Sequence, residues 1–238
     1  VKRIEVEFPV DIFLRKLYYI TILTVRRQPM NVLQAIRERR AINVFDPERT
    51  IPADDIKKII EVANLSPSSF NLQPWEVVVV DDPERKKALR KCAFNQPKVE
   101  EASAVLIMIA NPNAVEENID EHLKSWVELG YIKPDEVQKM REAPFGLYGE
   151  KDSQARKFFA VKNTAFFAMN FMVAARGFGF ETHPMDGFKE ADVKKEFGIP
   201  EDRIIPLLVA VGFMKPGLEL LPRAFRRNID AFAKFNKF

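Results

Sequence analysis

A chain of 238 residues with one cysteine, Cys92, closes no internal disulfide, and that count fits a reducing, cytoplasmic setting. Histidine is almost as scarce. Only His122 and His183 are present, with no HExxH motif, so no Cys/His metal centre is expected. Charge of one sign is lacking too. Thirty-seven basic residues against 34 acidic ones leave a net charge of +3, too balanced for a nucleic-acid protein. No GxxxxGK[ST] loop occurs. RGFGFE offers Gly177 and Gly179 without the third glycine, and it follows a predicted helix instead of a strand, so the dinucleotide fingerprint fails. A phosphorylated ligand therefore has to be held by side chains from distant segments. No stretch reads as apolar enough to span a membrane. In residues 1–29 the apolar run LYYITILTV lies between Asp11 and the Arg26–Arg27 pair without a small-residue cleavage pattern. It reads as an N-terminal extension, not a signal peptide.

What is present is regular. With 47% hydrophobic residues the chain has ample material for a core, and residues 30–238 read as one domain. NVLQAIRERR carries Val32, Leu33 and Ile36 at helical spacing and ends in basic residues. ADDIKKIIEVANL, Ala53 to Leu65, is an amphipathic helix whose Asp54 and Asp55 suit its N-terminal dipole. WEVVVVDD, SAVLIMIANP and IIPLLVAVGF are near-continuous apolar runs, expected as strands buried on both faces. Asp82 is placed to cap a helix with Pro83 in its first turn. Residues 113–157 are polar, with Trp126, Tyr131, Phe145 and Tyr148 among them. They read as a helical flap, or as surface helices with their aromatics packed down. From Phe158 to Ala175 the chain is apolar on nearly every face, as in a helix central to a domain or buried between subunits, with Gly177 or Gly179 as its left-handed stop. Helices flanking buried strands make an α/β or α+β domain.

Three polar clusters remain: Arg39 and Arg40; SPSSFNLQPW, Ser66 to Trp75; and Arg223, Arg226 and Arg227. Arginine forks suit phosphate oxygens, and small hydroxyls and amides can line a polar ring edge without crowding it. Cys92, beside Arg90 and Lys91, reads as a small, part-buried hydrophobe.

These segments, in order, carry a resemblance. IRERRAINVFD, SPSSFNLQPW, FNQPK, the long apolar helix, THPMDGF and the basic C-terminal turn make the chain, from about Met30 to Arg227, resemble the nitroreductase family of FMN-dependent oxidoreductases. The resemblance implies an α+β fold with a central mixed sheet flanked by helices in an intertwined homodimer. FMN would lie at the subunit interface, and NADH or NADPH would be the co-substrate.

By the same resemblance Arg39 and Arg40 open the phosphate site, Arg39 foremost, and Arg223 and Arg226 complete it. Pro67, Ser68, Ser69 and Asn71 reach FMN from the other subunit. Asn95 and Lys98 match the pyrimidine edge of the flavin. Pro184, Met185, Asp186 and Gly187 match the loop whose backbone N–H faces flavin N5. Ala41 and Asn43 belong to the phosphate and ring segment, where many relatives carry serine and a lysine or arginine. Lys98 is then the cation that stabilises reduced flavin, and the flavin is expected to be harder to reduce than with two cations.

No side-chain nucleophile is required, because the cofactor performs the difficult step. The implied activity is hydride transfer through flavin N5 to a nitroaromatic, quinone or similar acceptor by a ping-pong route. Enoate reduction, reductive dehalogenation, flavin destruction and a non-catalytic flavin-binding module stay open.

Overall fold

The computed structural model describes residues 30–238. The 1–29 extension lies outside the described residues.

Helices α1 (Val32–Glu38) and α2 (Ala53–Ala63) come first, and Asn31 caps α1 by accepting from Gln34 N. Strand β1 (Trp75–Val80) leads to α3 (Pro83–Cys92), where the Asp82 carboxylate accepts from Arg85 N as the sequence predicts. A single turn, α4 (Lys98–Glu101), precedes β2 (Ala104–Ala110). Helices α5 (Ala114–Glu128) and α6 (Val137–Tyr148) come before the long α7 (Gln154–Gly177). Strand β3 (Glu181–Met185), helix α8 (Glu190–Phe197) and strand β4 (Ile204–Gly212) follow. Gly179, with φ +85°, supplies the left-handed step that ends α7, and Gly177 remains helical.

The strands form one sheet in the order β1-β2-β4-β3, every pair antiparallel. A mixed sheet is the sequence-based expectation. Among the described residues the parallel pairing shrinks to one isolated bridge, Ala41 with Thr182. The β2–β4 register slips between Met108 and Ala110, so Ile205 and Pro206 fall opposite Ile109. A proline, which lacks an N–H, is tolerated there in a central strand.

Period-two alternation divides the core. Val105, Ile107 and Ile109 of β2 face one cluster with Ile42, Phe45, Leu89, Val99, Met185 and Val193. Ala104, Leu106 and Met108 face the other, with Ile56, Ile59, Phe167 and Phe171 of α2 and α7. β2 is buried throughout, as its composition requires. β1 is equally apolar, yet Trp75 to Val79 are half-buried because β1 is an edge strand. A continuous apolar run reports that both faces are covered and says nothing about the free edge.

Helix α7 also differs from expectation. It is the one described helix long and apolar enough to cross a membrane, against the sequence-based reading that no stretch qualifies. Half of that window is buried in the fold, as in a core helix. The other side presents Phe158, Phe166 and Met169 to solvent beside the exposed Val32, Leu33 and Ile36 of α1. A cavity of about 670 Å³ opens there, lined by Val32, Val62, Leu65, Val173 and Phe178 among others.

Two of the four aromatics of 113–157, Trp126 and Tyr148, pack down, and Phe145 stays exposed. Tyr148 is buried with Leu123 and Phe159, its ring centroid 4.5 Å from that of Phe159, while Tyr131 is exposed. Cys92 is buried, and burial raises its thiol pKa despite the neighbouring cations.

Candidate functional site

One face of the molecule gathers residues from four distant segments. The chain leaves α1 at Arg39, and residues 41–45 run beside β3, held by Ile42 N donating to Thr182 O at 3.1 Å. This brings Asn43 next to His183 and Lys98. Lys98 Nζ donates to Asn43 Oδ1 at 2.7 Å and stands 3.0 Å from His183 Nε2.

His183 alternates with Met185 on the face of β3 that meets the first cluster. Burial first, then the neighbouring Lys98 charge, pushes its pKa down to about 4. Burial also lowers the pKa of Lys98. With Lys98 as the donor, His183 is the neutral tautomer that carries its lone pair on Nε2 and its proton on Nδ1.

The loop after β3 is stapled to the FNQPK turn. Gln96 Nε2 donates to Gly187 O at 2.7 Å, and Lys189 N donates to Cys92 O at 2.9 Å. A Cβ on Gly187 would stand 3.0 Å from Gln96 Nε2, so a larger residue crowds the staple. Phe94 and Asn95 both have positive φ, and Asn95 is held through both backbone groups. Its N–H donates to Arg90 O, while Arg90 Nε donates back to Asn95 O at 3.1 Å. The turn thus meets the loop at Gly187 through Gln96, while Lys98 reaches β3 at His183. Asp186 and Asn95 are exposed.

Positive charge collects on the other side of Ala41. Arg223 Nη2 donates to the carbonyls of Arg37 and Arg39, and Arg40 Nη2 donates to Leu221 O. Arg226 bonds only its own turn, at Ala224 O and Phe225 O. Burial lowers the pKa of Arg39, and the charges of Arg223, Arg226 and Arg40 add to that. Guanidiniums gathered in this way make a surface that can attract an anion. Arg176 bridges Glu38 and Glu181 and so ties the end of α1 to the start of β3.

SPSSFNLQPW lies apart from this group, against α7. The Ser66 hydroxyl donates to Ala63 O and accepts from Asn170 Nδ2 at 2.7 Å. Ser68 Oγ accepts from Gln73 N at 2.9 Å, and Ser69 N donates to Asn163 Oδ1 at 3.2 Å. Phe70, Asn71 and Gln73 have positive φ, so side chains replace regular backbone pairing in this loop. Pro67 and Asn71 are exposed. Within one chain the loop is not brought to Lys98 or the arginines.

Sequence reasoning singles out Lys98 and Asn43 but misses His183, Gln96 and Arg90. For His183 the signal was available: alternation along THPM puts it on the same face as Met185.

Chemically, the arrangement can grip a phosphate with guanidiniums and offer an ammonium and amides to a flat, polar-edged ring. The nitroreductase family model matches residues 36–213. YdgI of Bacillus subtilis, named as an NAD(P)H nitroreductase, is 32% identical over 183 residues, 76% of this chain and 87% of its own. The crystal structure of ydfN from the same species, described as a nitroreductase, superposes with a TM-score of 0.80 at 28% identity, covering 85% of this chain and 97% of that one. A nitroreductase structure in complex with FMN, from Exiguobacterium sibiricum 255-15, gives 0.77 at 27% identity, covering 87% and 97%. With its family model spanning the whole sheet together with Arg39, Arg40, Lys98 and His183, this chain belongs to the nitroreductase family.

Proposed function

We propose that this protein is an FMN-dependent oxidoreductase, acting as a homodimer, that passes reducing equivalents from NADH or NADPH to a flat conjugated acceptor such as a nitroaromatic or a quinone. The observation that carries the reading is the convergence of Arg39, Arg40, Arg223 and Arg226 with the Asn43–Lys98–His183 group and the Asp186–Gly187 loop. Bound FMN supplies the two-electron chemistry. The guanidiniums bind its phosphate, Arg39 foremost. Lys98 and Asn95 face the pyrimidine edge, where the ammonium favours negative charge on the ring. The loop at Asp186 and Gly187, held rigid by Gln96, orients the ring centre through its backbone. Donor and acceptor use the same exposed place in turn, which gives ping-pong kinetics.

Two features support the homodimer. α7 and α1 leave Phe158, Phe166, Met169, Leu33 and Ile36 exposed in one chain, a patch of the kind a partner covers. Pro67, Ser68, Ser69 and Asn71 lie apart from Lys98 within a chain, as expected if they complete the partner's site. The α5–α6 segment is then a cover beside the acceptor.

Purified protein should be yellow, should contain one FMN per chain and should run as a dimer. It should oxidise NADH or NADPH when a nitroaromatic or quinone is added. An enone, a haloaromatic and free FMN complete the acceptor panel and rank the reactions open to this fold. A colourless protein that takes up no FMN overturns the reading.

A further inference from the structure

The Lys98 ammonium has three N–H groups, and two are engaged, by Asn43 Oδ1 at 2.7 Å and His183 Nε2 at 3.0 Å. We propose, resting on the FMN reading above, that His183 is a positioning residue for the flavin: it acts through Lys98, as the second acceptor that fixes the ammonium and leaves a single N–H for the pyrimidine edge.

A lysine on a four-carbon stem does not hold one direction unaided. Asn43 is exposed and sits in a bend, so one bond to it leaves Lys98 free to swing. His183 is the rigid partner. Its backbone is fixed on both sides, by register with Ala210 in β4 and by the parallel bridge at its neighbour Thr182. Its Nδ1 is buried and makes no hydrogen bond of good geometry, having only a weak interaction with the Ile42 backbone, so the bond to Lys98 is the one that orients the ring. Burial holds the ring neutral near pH 7, so the lone pair on Nε2 is available. Asn43 brings no charge of its own, so Lys98 is the cation whose aim matters at this edge.

The test is the midpoint potential of bound FMN in wild type and in His183→Gln, His183→Asn, His183→Leu and Lys98→Met. Glutamine places Oε1 where Nε2 stands and keeps the acceptor. Asparagine places Oδ1 at the Nδ1 position and loses it, as leucine does. Losing the acceptor should lower the affinity for reduced relative to oxidised FMN about tenfold, roughly 30 mV for two electrons. His183→Gln should stay near the wild-type potential. In a Lys98→Met background His183→Leu should add nothing, because its effect runs through the lysine.

Should His183→Leu fail to fold, the glutamine and asparagine pair carries the comparison. Equal potentials in the glutamine and asparagine variants overturn the proposal while leaving the FMN reading intact. So does a full His183→Leu effect without Lys98. A wild-type protein that binds no FMN overturns the reading beneath it, and the proposal with it.

Discussion

Arg223 reaches back across the fold and donates from Nη2 to the carbonyl of Arg39 at 3.1 Å, so one arginine of the basic cluster positions the backbone of another. The two should therefore fail differently. Arg39→Ala removes a charged hydrogen bond to phosphate and should weaken FMN by about 1.5–3 kcal/mol. That is roughly tenfold to a hundredfold in Kd. Arg223→Ala should weaken FMN as well, and should also free the segment around Leu221, which Arg40 Nη2 then holds alone. Flavin fluorescence titration reads the first effect, and limited proteolysis near residues 221–226 reads the second. Equal Kd in Arg39→Ala and wild type removes Arg39 from the site.

Phe166 is 45% exposed on α7, on the side away from the buried Phe167. Phe166→Glu should leave the fold of a single chain intact, because water already reaches nearly half of the residue. In a dimer the carboxylate would be buried without a partner, at a cost of several kcal/mol. Light scattering after size exclusion should show a monomer with a native circular dichroism spectrum. Flavin should be lost in parallel, since Pro67 to Asn71 then no longer reach a second site. A stable flavin-bound dimer from Phe166→Glu would place the interface elsewhere.

Arg156 is fully buried near the start of α7 and pairs with Glu116 of α5 at 2.7 Å, with its Nε donating to Gly149 O. This joins α5, the end of α6 and α7. The pair is asymmetric, because Glu116 remains partly open to water. Glu116→Ala strands a buried guanidinium and should cost about 2–4 kcal/mol. Arg156→Met keeps most of the volume and leaves a part-solvated carboxylate and two carbonyls, those of Gly149 and Pro112, but no buried charge, so it should cost less than about 2 kcal/mol. Urea denaturation of both variants checks the order. The reverse order would mean that the hydrogen bonds to Gly149 and Pro112 outweigh the ion pair.

Local rules made the helices and strands legible. Asp82 and Pro83 mark the start of α3, and the apolar runs mark β1, β2 and β4. What escaped is set by tertiary geometry. Nothing in WEVVVV distinguishes an edge strand from a central one, because both of its faces are covered in either case. The exposed stripe of α7 was hidden by its own composition, since a helix apolar all round does not say which side its own chain leaves bare. His183 acquires its role only when residues 41–45 lie beside β3 and the FNQPK turn is stapled to the following loop. In SPSSFNLQPW the density of small polar groups was read as serving a ligand. Within one chain Ser66 and Ser68 use their hydroxyls to hold the loop, whose positive φ values deny it regular backbone pairing.

The depressed pKa of His183 also makes a statement about stability. Folded, the ring titrates at about 4; unfolded, it titrates near 6.5. Between these values the unfolded chain takes up a proton that the folded one refuses, so stability falls as pH falls through that window and is unaffected above it. The effect is on the order of 2 kcal/mol at pH 4.5, allowing for the part of the ring that water still screens. His122, also lowered by burial, acts with the same sign, and Glu38 and Glu116 lose their stabilising charge at lower pH. Those groups are common to wild type and His183→Gln, so they cancel in the difference. Urea unfolding of both proteins at pH 7 and pH 4.5 should show the wild type losing more stability than the variant by that amount. Parallel losses would mean that the folded ring takes up its proton by pH 4.5 as readily as the unfolded one, so that neither burial nor the Lys98 ammonium 3.0 Å away resists it.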